Sequence, residues 1–321
     1  MFFVQKEFKT LEQQIEILKN RGMTIKDEDK TKKYLLSNNY YNIINGYSKP
    51  FLKEKNEYLS GTFFNEVSKL YFLDGEIKQT LLNAILCAEH HLKSSFAYHF
   101  GEAHRHKPES YLDVSAYNHK FSSDIAYIIT KLNRIIRLNQ HYPNNAIYHY
   151  KEKYGFVPIW VLVDFLDFGD LYTLIKISPI SIQNKIARDM TEFIHKNHIN
   201  TTEYYAPATM LSMIKNIHET RNICAHNKRL IYFKCRADST FWAPLHTKFN
   251  ITNNDSRNSV YTTFLSLQCF ISDTEFAQLN NTFRKRIRNV LEKHLKTIEV
   301  NKILRSLGFP DNWQNLPKIP Q

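Results

Sequence analysis

Apolar side chains recur at helical spacing through most of this chain, and this periodicity constrains the fold more than any other feature. In residues 76–100 it forms one stripe of Ile77, Leu81, Ile85, Leu92 and Phe96. Side chains three, four or seven residues apart lie on one face of an α-helix. The chain also has only 8 glycines in 321 residues, few for the tight turns of a sheet-rich protein. We therefore predict an all-α fold with at most a minor hairpin.

The same periodicity, with glycine, proline and polar residues at its breaks, predicts where the helices lie. Helices are expected at residues 11–22, 27–38, 63–100 (in two pieces), 124–142, 181–198, 208–221 and 273–307. The apolar block at 159–175 should contain a central core helix, and the Phe-Gly-Asp sequence around Gly169 should start the next helix. Residues 101–123 should form a loop, and residues 231–261 an extended loop with a short hairpin. Because the chain contains no repeat or clear linker, we expect one compact multi-helix domain at 1–272, which includes a helical N-terminal extension. A basic helical extension at 273–321 would pack on that domain.

The chain is strongly basic, with 43 lysines and arginines against 31 acidic residues and a net charge of +12. A charge balance this positive is typical of proteins with an anionic partner. The 19 tyrosines are interleaved with the cations and can stack on bases, which favours RNA or another nucleic acid over a membrane surface. The alternative is that the charge only aids solubility.

No segment indicates a membrane anchor, a secretion signal or a bound cofactor. The first ten residues are too short and too charged for a signal peptide, and Asp164 and Asp167 interrupt the most apolar block. The 4 cysteines form no CxxC pair, and the histidines around His104 and His106 lack the spacing of a zinc site. We therefore expect a cytoplasmic protein without a metal or other cofactor.

One short segment, residues 220–230 with the sequence TRNICAHNKRL, carries the groups that metal-independent RNA cleavage needs. Arg221 is a permanent cation whose planar fork of donors matches a phosphate. His226 is a histidine, the side-chain type that exchanges protons most readily near neutral pH. Asn222 can donate to a phosphate oxygen or orient an attacking hydroxyl. Lys228 and Arg229 would hold neighbouring phosphates.

The position of this motif on a helix leaves its geometry open. The upstream periodicity, with Met210, Ile214 and Ile217 on one face, continues a helix to Arg221. On an ideal helix Arg221 and His226 point about 140° apart. The length of the arginine, a distorted turn, or a second copy of the motif across a symmetric dimer could bring the two groups together. The other interpretation of the segment is an ordinary hydrogen-bonded helix end.

Four segments of the sequence resemble one protein family. RNICAHNKRL at 221–230 is similar to the Rx4–6H signature of the HEPN superfamily, and in detail to the Abi-like family, the AbiD/AbiF group of bacterial abortive-infection proteins. The other three segments are RGMTIKDEDKTKKYLLSNNYYNIINGYSKPF at 21–51, YKEKYGFVPIWVLVDFLDFGDLYTL at 150–174 and ILRSLGFPDNW at 303–313. The four segments are spread from residue 21 to residue 313, over most of the length of the chain, which is therefore identified as a member of this family.

The resemblance implies a compact HEPN-like domain and an anti-phage effector that cuts RNA as a toxin. It also implies control by a small structured noncoding RNA. In metal-independent cleavage the ribose 2′-hydroxyl attacks the adjacent phosphorus, so protons must move and negative charge must be stabilised. Our hypothesis assigns proton transfer to His226, the phosphate clamp to Arg221 and a positioning role to Asn222.

Further RNA contacts are predicted outside the motif. Tyr40, Tyr41 and Lys49 lie in an aromatic segment whose rings could stack on bases or could fill the core with their hydroxyls at the surface. Lys93 and His99 have the separation of a degenerate second motif, with lysine in place of arginine. The alternatives are that they contact RNA phosphates or are ordinary surface residues. The remaining predicted contacts are Arg105 in a basic loop and Arg284, Arg286 and Arg288 on one face of the last helix.

Two other functions fit the same residues. The chain could bind a noncoding RNA in phage defence without cutting it, with Arg221 and His226 gripping that RNA. Alternatively, the motif could build the core of a homodimer. A nuclease should lose toxicity on His226→Ala while still binding RNA, a binder should lose affinity on Arg221→Ala, and a dimer core should change oligomeric state with either substitution.

Overall fold

The computed structural model describes residues 7–320, and this part of the chain contains thirteen α-helices and one two-stranded antiparallel sheet. The helices are α1 (Leu11–Asn20), α2 (Glu28–Asn38), α3 (Phe64–Ala103), α4 (Ser122–Asn139), α5 (Ala146–Tyr154), α6 (Ile159–Leu162), α7 (Phe168–Ile177), α8 (Ile180–Lys196), α9 (Pro207–Ala225), α10 (Ala243–His246), α11 (Val260–Ser266), α12 (Asp273–Ile287) and α13 (Val300–Leu307). The strands are β1 (Leu52–Glu54) and β2 (Glu57–Tyr58). The predicted all-α fold with a minor hairpin is confirmed.

Helix α3 is a single helix of 40 residues, so the prediction of two pieces was wrong. Gly75 lies inside it, and a glycine in a helix interior costs only about 1 kcal/mol relative to alanine. Burial of the neighbouring Leu73 and Ile77, both fully enclosed, outweighs that cost. None of the described helices combines the length and the apolar character needed to cross a membrane.

The apolar block at 159–175 contains two helices, and the second begins at the Phe-Gly-Asp sequence around Gly169, as predicted. Helix α6 ends at Leu162, a 3-10 turn follows, and α7 begins at Phe168. The Asp167 carboxylate caps α7 by accepting a hydrogen bond from Asp170 N at 2.9 Å. The Asp170 carboxylate in turn accepts a hydrogen bond from Asp167 N at 3.3 Å. This reciprocal capping stabilises a helix start inside an apolar sequence, which hydrophobic periodicity alone does not reveal.

Two further boundaries differ from the predictions. The hairpin lies at Leu52–Tyr58, where Asn56 adopts a left-handed conformation at the turn, and not within residues 231–261. That later segment contains α10 and one isolated bridge between Lys234 and Ser259. The predicted helix at 273–307 is divided in the structure. Helix α12 is followed by a π-helical turn at Arg288–Glu292, and α13 begins only at Val300.

The chain divides into two compact units, and each unit draws on several parts of the sequence. The first comprises the described part of Met1–Leu81 with Ile223–Phe233 and Leu279–Pro320. The second comprises Leu82–Asn222 and Lys234–Gln278. Segments far apart in the sequence therefore share each core, a grouping different from the division that we predicted after residue 272.

The first unit has a core of aliphatic and aromatic side chains. Its fully enclosed members include Leu18, Leu35, Phe51, Leu73 and Ile77. Phe283 and Phe309 stack with ring centroids 5.3 Å apart, and Trp313 meets Phe309 at 4.6 Å. In this unit α1 packs against α2, and Tyr34 of α2 meets Phe64 at the start of α3, with ring centroids 6.0 Å apart.

In the second unit α4 packs against α7 and α7 against α8. The enclosed side chains of this unit include Leu92, Leu132, Leu174, Ile186 and Ile214. Helix α9 presents Met213, Ile214 and Ile217 to the interior, so its remaining face is left for polar residues. The polar side chains of that face include the first part of the candidate site.

Candidate functional site

The candidate motif occupies the last turn of α9 and the turn that follows. Arg221 and Asn222 are helical, the helix ends at Ala225, and His226 is the exposed C-cap residue. Asn227 has a φ of 50° and donates to Cys224 O at 3.2 Å, while Lys228 N donates to Ile223 O at 3.0 Å. These two bonds form a Schellman motif, in which asparagine tolerates the left-handed position. The boundary between the units falls after Asn222, so Arg221 and Asn222 belong to the second unit and His226 to the first.

The exit turn (residues 226–231) is held within the first unit by two charged side chains of α3. Lys78 Nζ donates to Asn227 Oδ1 at 2.6 Å and to Lys228 O at 3.2 Å. Asp74 accepts from the backbone N–H groups of Leu230, at 3.1 Å, and Ile231, at 3.0 Å. Asp74 and Lys78 also pair with each other at 3.0 Å, and both are almost fully buried. This pair fixes the backbone that follows His226.

Two further polar groups in the first unit complete this anchor. Tyr47 Oη donates to Asp74 Oδ2 at 2.7 Å. Burial and the neighbouring Asp74 carboxylate raise the pKa of Tyr47 well above its ordinary value, so this hydroxyl remains a donor. Burial also raises the pKa of the Cys224 thiol to about 12, with a smaller contribution from Asp74. Cys224 therefore acts as a packing residue and not as a nucleophile.

In the second unit Asn222 is paired with a histidine one turn earlier on α9. Asn222 Nδ2 and His218 Nε2 lie 3.0 Å apart. The His218 ring meets Phe168 edge to face, with centroids 5.9 Å apart. A Cβ added to Gly169 would lie 3.2 Å from two His218 ring atoms, a tight contact that would require the imidazole to shift slightly. His218 is thus enclosed on the side facing α7.

Electrostatics keep the His218 imidazole neutral at neutral pH. Burial lowers the pKa of His218, and the adjacent Arg221 guanidinium lowers it further. The carboxylates of Asp167, Glu219 and Glu89 oppose this shift but do not reverse it. A neutral Nε2 carries a lone pair, and the Asn222 amide donates to it.

Arg221 is half-buried, yet its guanidinium makes no hydrogen bond or ion pair with any residue in 7–320. Its Nε is fully enclosed and unpaired. A buried donor without an acceptor costs about 1–3 kcal/mol, so an unpaired arginine is an unusual feature of a folded protein. Glu89, whose charge also acts on His218, has an enclosed oxygen, Oε2, without a partner.

Lys93 and His99, predicted as RNA contacts or a degenerate second motif, have protein partners within the second unit. Lys93 Nζ binds Glu89 at 3.0 Å and donates to Leu166 O at 2.8 Å, which ties α3 to the α6–α7 connection. His99 is 5 % exposed and bonds to Asp189 Oδ2 at 2.7 Å. These contacts leave little of either side chain accessible to an RNA phosphate.

Two predicted RNA contacts come together in the first unit on the ring of Tyr232. Lys49 Nζ lies 5.3 Å from the ring centroid and Arg229 Cζ lies 5.8 Å from it. Both cations are exposed and form no ion pair with a carboxylate among residues 7–320. Tyr41 is exposed and Tyr40 is half-buried, with its hydroxyl pKa raised by burial. Lys49, Arg229 and Tyr232 form the cationic-aromatic cluster.

The predicted basic strip on the last helix does not form one outer face. Arg284 is 3 % exposed and donates to Gln314 O at 3.1 Å, so it points inward. Arg286 is exposed but paired with Glu76 at 2.8 Å, and Arg288 is half-buried. Arg105, in the loop after α3, is exposed and donates to His106 Nε2 at 3.1 Å.

The residues that sequence reasoning missed are His218, Asp74, Lys78 and Tyr232. His218 could have been found, because it precedes Asn222 by four residues and an i,i+4 pair shares a helix face. Asp74 and Lys78 have the same spacing, but their partners lie about 150 positions further along the chain. Among the described residues, no group of three His, Cys, Asp or Glu side chains is arranged to hold a metal ion.

A family model described as Abi-like protein matches residues 33–232, more than half of the chain. The matched region includes all of α9 and the exit turn. No curated protein and no solved structure matches this chain.

Proposed function

This chain belongs to the Abi-like protein family, which associates it with abortive infection in phage defence, and we propose that it acts there as an RNA-cleaving effector. The proposed activity is metal-independent and of the HEPN type, with a small structured noncoding RNA as the controlling partner. The family match supports the biological setting. The chemistry of α9 and its exit turn supports the activity.

The proposed reaction is an internal transesterification. A bond forms between the ribose 2′-oxygen and the adjacent phosphorus while the bond from phosphorus to the 5′-oxygen breaks. A base takes the 2′-hydroxyl proton, and an acid returns a proton to the leaving 5′-oxygen. The products are a 2′,3′-cyclic phosphate and a 5′-hydroxyl. His226 is proposed for proton transfer and Arg221 for stabilising the charge on phosphorus.

The observation that carries this proposal is the unpaired guanidinium of Arg221. Its side chain is half-buried and therefore restricted, but it has no acceptor among the described residues. An arginine in this condition offers its fork of donors to a ligand without first breaking a protein contact. Asn222 uses one amide N–H on His218 and has a second N–H that can donate to a ligand. A phosphodiester supplies acceptors for the Arg221 guanidinium and for this second N–H.

Exposed cations would bind the RNA on either side of the scissile phosphate. Lys228 is exposed in the exit turn, where Asp74 and Lys78 hold the backbone. The cationic-aromatic cluster adds two cations and the half-exposed ring of Tyr232. Cations interleaved with an aromatic ring suit a single-stranded RNA, whose phosphates and unpaired bases are both accessible.

The test is cleavage of a mixed pool of single-stranded and hairpin RNA in EDTA by protein stripped of nucleic acid. We expect the wild type to produce cyclic-phosphate ends. His226→Ala should lower the rate about 10²- to 10⁴-fold, the usual contribution of a general acid or base, without changing RNA affinity. His141→Ala removes an exposed histidine of the second unit and serves as the matched control.

Two outcomes would contradict the proposal in different ways. Tight, salt-sensitive RNA binding without cleavage by the wild type would favour the non-catalytic RNA-binding function. Equal cleavage by the wild type and His226→Ala would move proton transfer to another group. A change in oligomeric state on Arg221→Ala would instead support a dimer in which the motif is shared.

A further inference from the structure

A cavity of about 600 Å³ in the first unit is lined by an unusual concentration of lysines. It lies between the start of α2, the start of α3 and the segment that follows the π-helical turn. Five lysines line it: Lys26, Lys30, Lys69, Lys293 and Lys296. We call this cavity the lysine pocket. Its volume is within the range of about 300–1,000 Å³ that small-molecule and cofactor sites occupy.

The lysines of this pocket are available for a ligand. None of the five ammonium groups forms an ion pair with a carboxylate in residues 7–320. Lys69 and Lys26 instead lie over the rings of Phe72, at 5.6 Å, and Phe63, at 4.7 Å. Five cations around one concavity repel each other, and a bound anion would relieve that repulsion, so the pocket favours binding a negative group.

The two carboxylates of the pocket, Asp27 and Glu66, only partly balance its five lysines, and both accept hydrogen bonds from the backbone. Asp27 caps α2 and accepts from Lys30 N at 2.9 Å. Glu66 is buried and accepts from Lys296 N at 2.7 Å and from Thr297 N at 2.8 Å. The carboxylates thus stabilise the walls, and the pocket keeps an excess of positive charge.

His294, which also lines the pocket, reports the positive field. Its pKa is lowered by burial and then by the charges of Lys69 and Lys293. No carboxylate acts in the opposite direction on this imidazole. The aromatic component is equally accessible, because Phe72 is 47 % exposed at the pocket wall. Exposed aromatic rings beside lysines are the combination that binds a base together with its phosphate.

We propose that the lysine pocket is a nucleotide-binding site, which takes a phosphate group on its lysines and a base against Phe72. The nucleotide is either free or part of an RNA chain, and both present the same chemistry. Lys26, Lys30, Lys293 and Lys296 lie outside the region 33–232 that the family model matches. The site is therefore built largely by segments of this chain that flank the family region. It does not depend on cleavage at α9.

The experiment measures binding of three probes to the full-length chain in the His226→Ala background, so that cleavage cannot consume the RNA. The probes are ATP, pyrophosphate and a labelled 12-nucleotide single-stranded RNA. The test variant is Lys69→Glu/Lys293→Glu. The control is Lys153→Glu/Lys248→Glu, which makes the same charge change at exposed lysines of the second unit that also lie over aromatic rings. Lys69→Gln/Lys293→Gln replaces the test variant if charge reversal prevents folding.

A weaker affinity for ATP or RNA in the test variant than in the control, by about tenfold or more, supports the site. The slope of log affinity against log salt should also fall by about one for each lysine that contacts a phosphate. Binding of ATP would identify a free nucleotide as the ligand. Binding of the RNA but not of ATP would identify a nucleotide within an RNA strand as the ligand. Phe72→Ala should weaken ATP or RNA but leave pyrophosphate unchanged. Equal affinities of test and control variants for all three probes would overturn the proposal. Unchanged affinities for ATP and RNA in Phe72→Ala would show that Phe72 does not bind the base.

Discussion

At the scale of single residues, His218 controls how Asn222 can be used. The Asn222 amide has two N–H donors, and one is directed to the neutral Nε2 of His218 at 3.0 Å. Phe168 and Gly169 leave the imidazole little room to turn. The amide is thereby held in one orientation, with its other donor and its oxygen left for substrate. His218 is a positioning residue in this scheme, and Arg221 and His226 act on the phosphodiester itself.

We predict that His218→Leu lowers RNA cleavage about tenfold to a hundredfold, as loss of orientation of a catalytic group does. His218→Gln, which restores an acceptor, should remain within a few-fold of wild type. Because burial lowers the pKa of His218, its acceptor persists at neutral pH and is lost only as the pH falls below the ordinary histidine range. Wild-type activity should therefore fall at acid pH as His218 is protonated, and His218→Gln should lack this fall. A pH–rate profile measures this, and identical profiles for wild type and both variants would refute the positioning role.

At the scale of elements, the first part of α3 determines the conformation of the exit turn. Asp74 and Lys78 are one turn apart, and together they satisfy two backbone N–H groups, one carbonyl and the Asn227 side chain. A buried charge pair contributes when its remaining hydrogen-bonding capacity is satisfied, and it is costly when one partner is removed. The pair thus makes the turn that carries His226 a rigid part of the first unit.

We predict that Asp74→Asn and Lys78→Met each lower the free energy of unfolding by about 3–5 kcal/mol, because each leaves the other charge buried and unpaired. The double variant should lose less than the sum of the two. Urea unfolding of the four proteins in this cycle measures the coupling. Removal of the exposed pair Lys53–Glu57 should change the free energy of unfolding by at most about 1 kcal/mol. Additive losses at Asp74 and Lys78 would show that their ion pair does not hold the turn.

At the scale of the whole molecule, the net charge of +12 is the basis for the proposed binding of nucleic acid. Phosphate contacts release counterions, so affinity depends steeply on salt and little on sequence. Cleavage differs from binding, because transesterification needs a 2′-hydroxyl. An RNA and a DNA of the same sequence should therefore bind with similar salt dependence, but only the RNA should be cleaved.

We predict that affinity for single-stranded RNA falls by about 50-fold between 50 and 200 mM salt, the loss expected when about four phosphates are neutralised. The deoxy oligonucleotide of the same sequence should show a similar salt slope but no cleavage. Fluorescence anisotropy measures the slopes, and gel analysis of the same samples measures cleavage. Cleavage of the deoxy strand would rule out attack by the 2′-hydroxyl, and a flat salt response would argue against phosphate-dominated binding.

The sequence by itself determined the all-α class, the positions of most helices and the family, because these follow from local periodicity and contiguous motifs. It also located Arg221, Asn222 and His226 as chemically suited residues. Only the tertiary structure decided that Arg221 is unpaired, that His99 and Arg284 are enclosed, and that α3 holds the exit turn. Those facts depend on contacts between residues as much as 157 positions apart. Local patterns specify which face of a helix is apolar, but the burial and partners of a polar side chain depend on which distant segment packs against it.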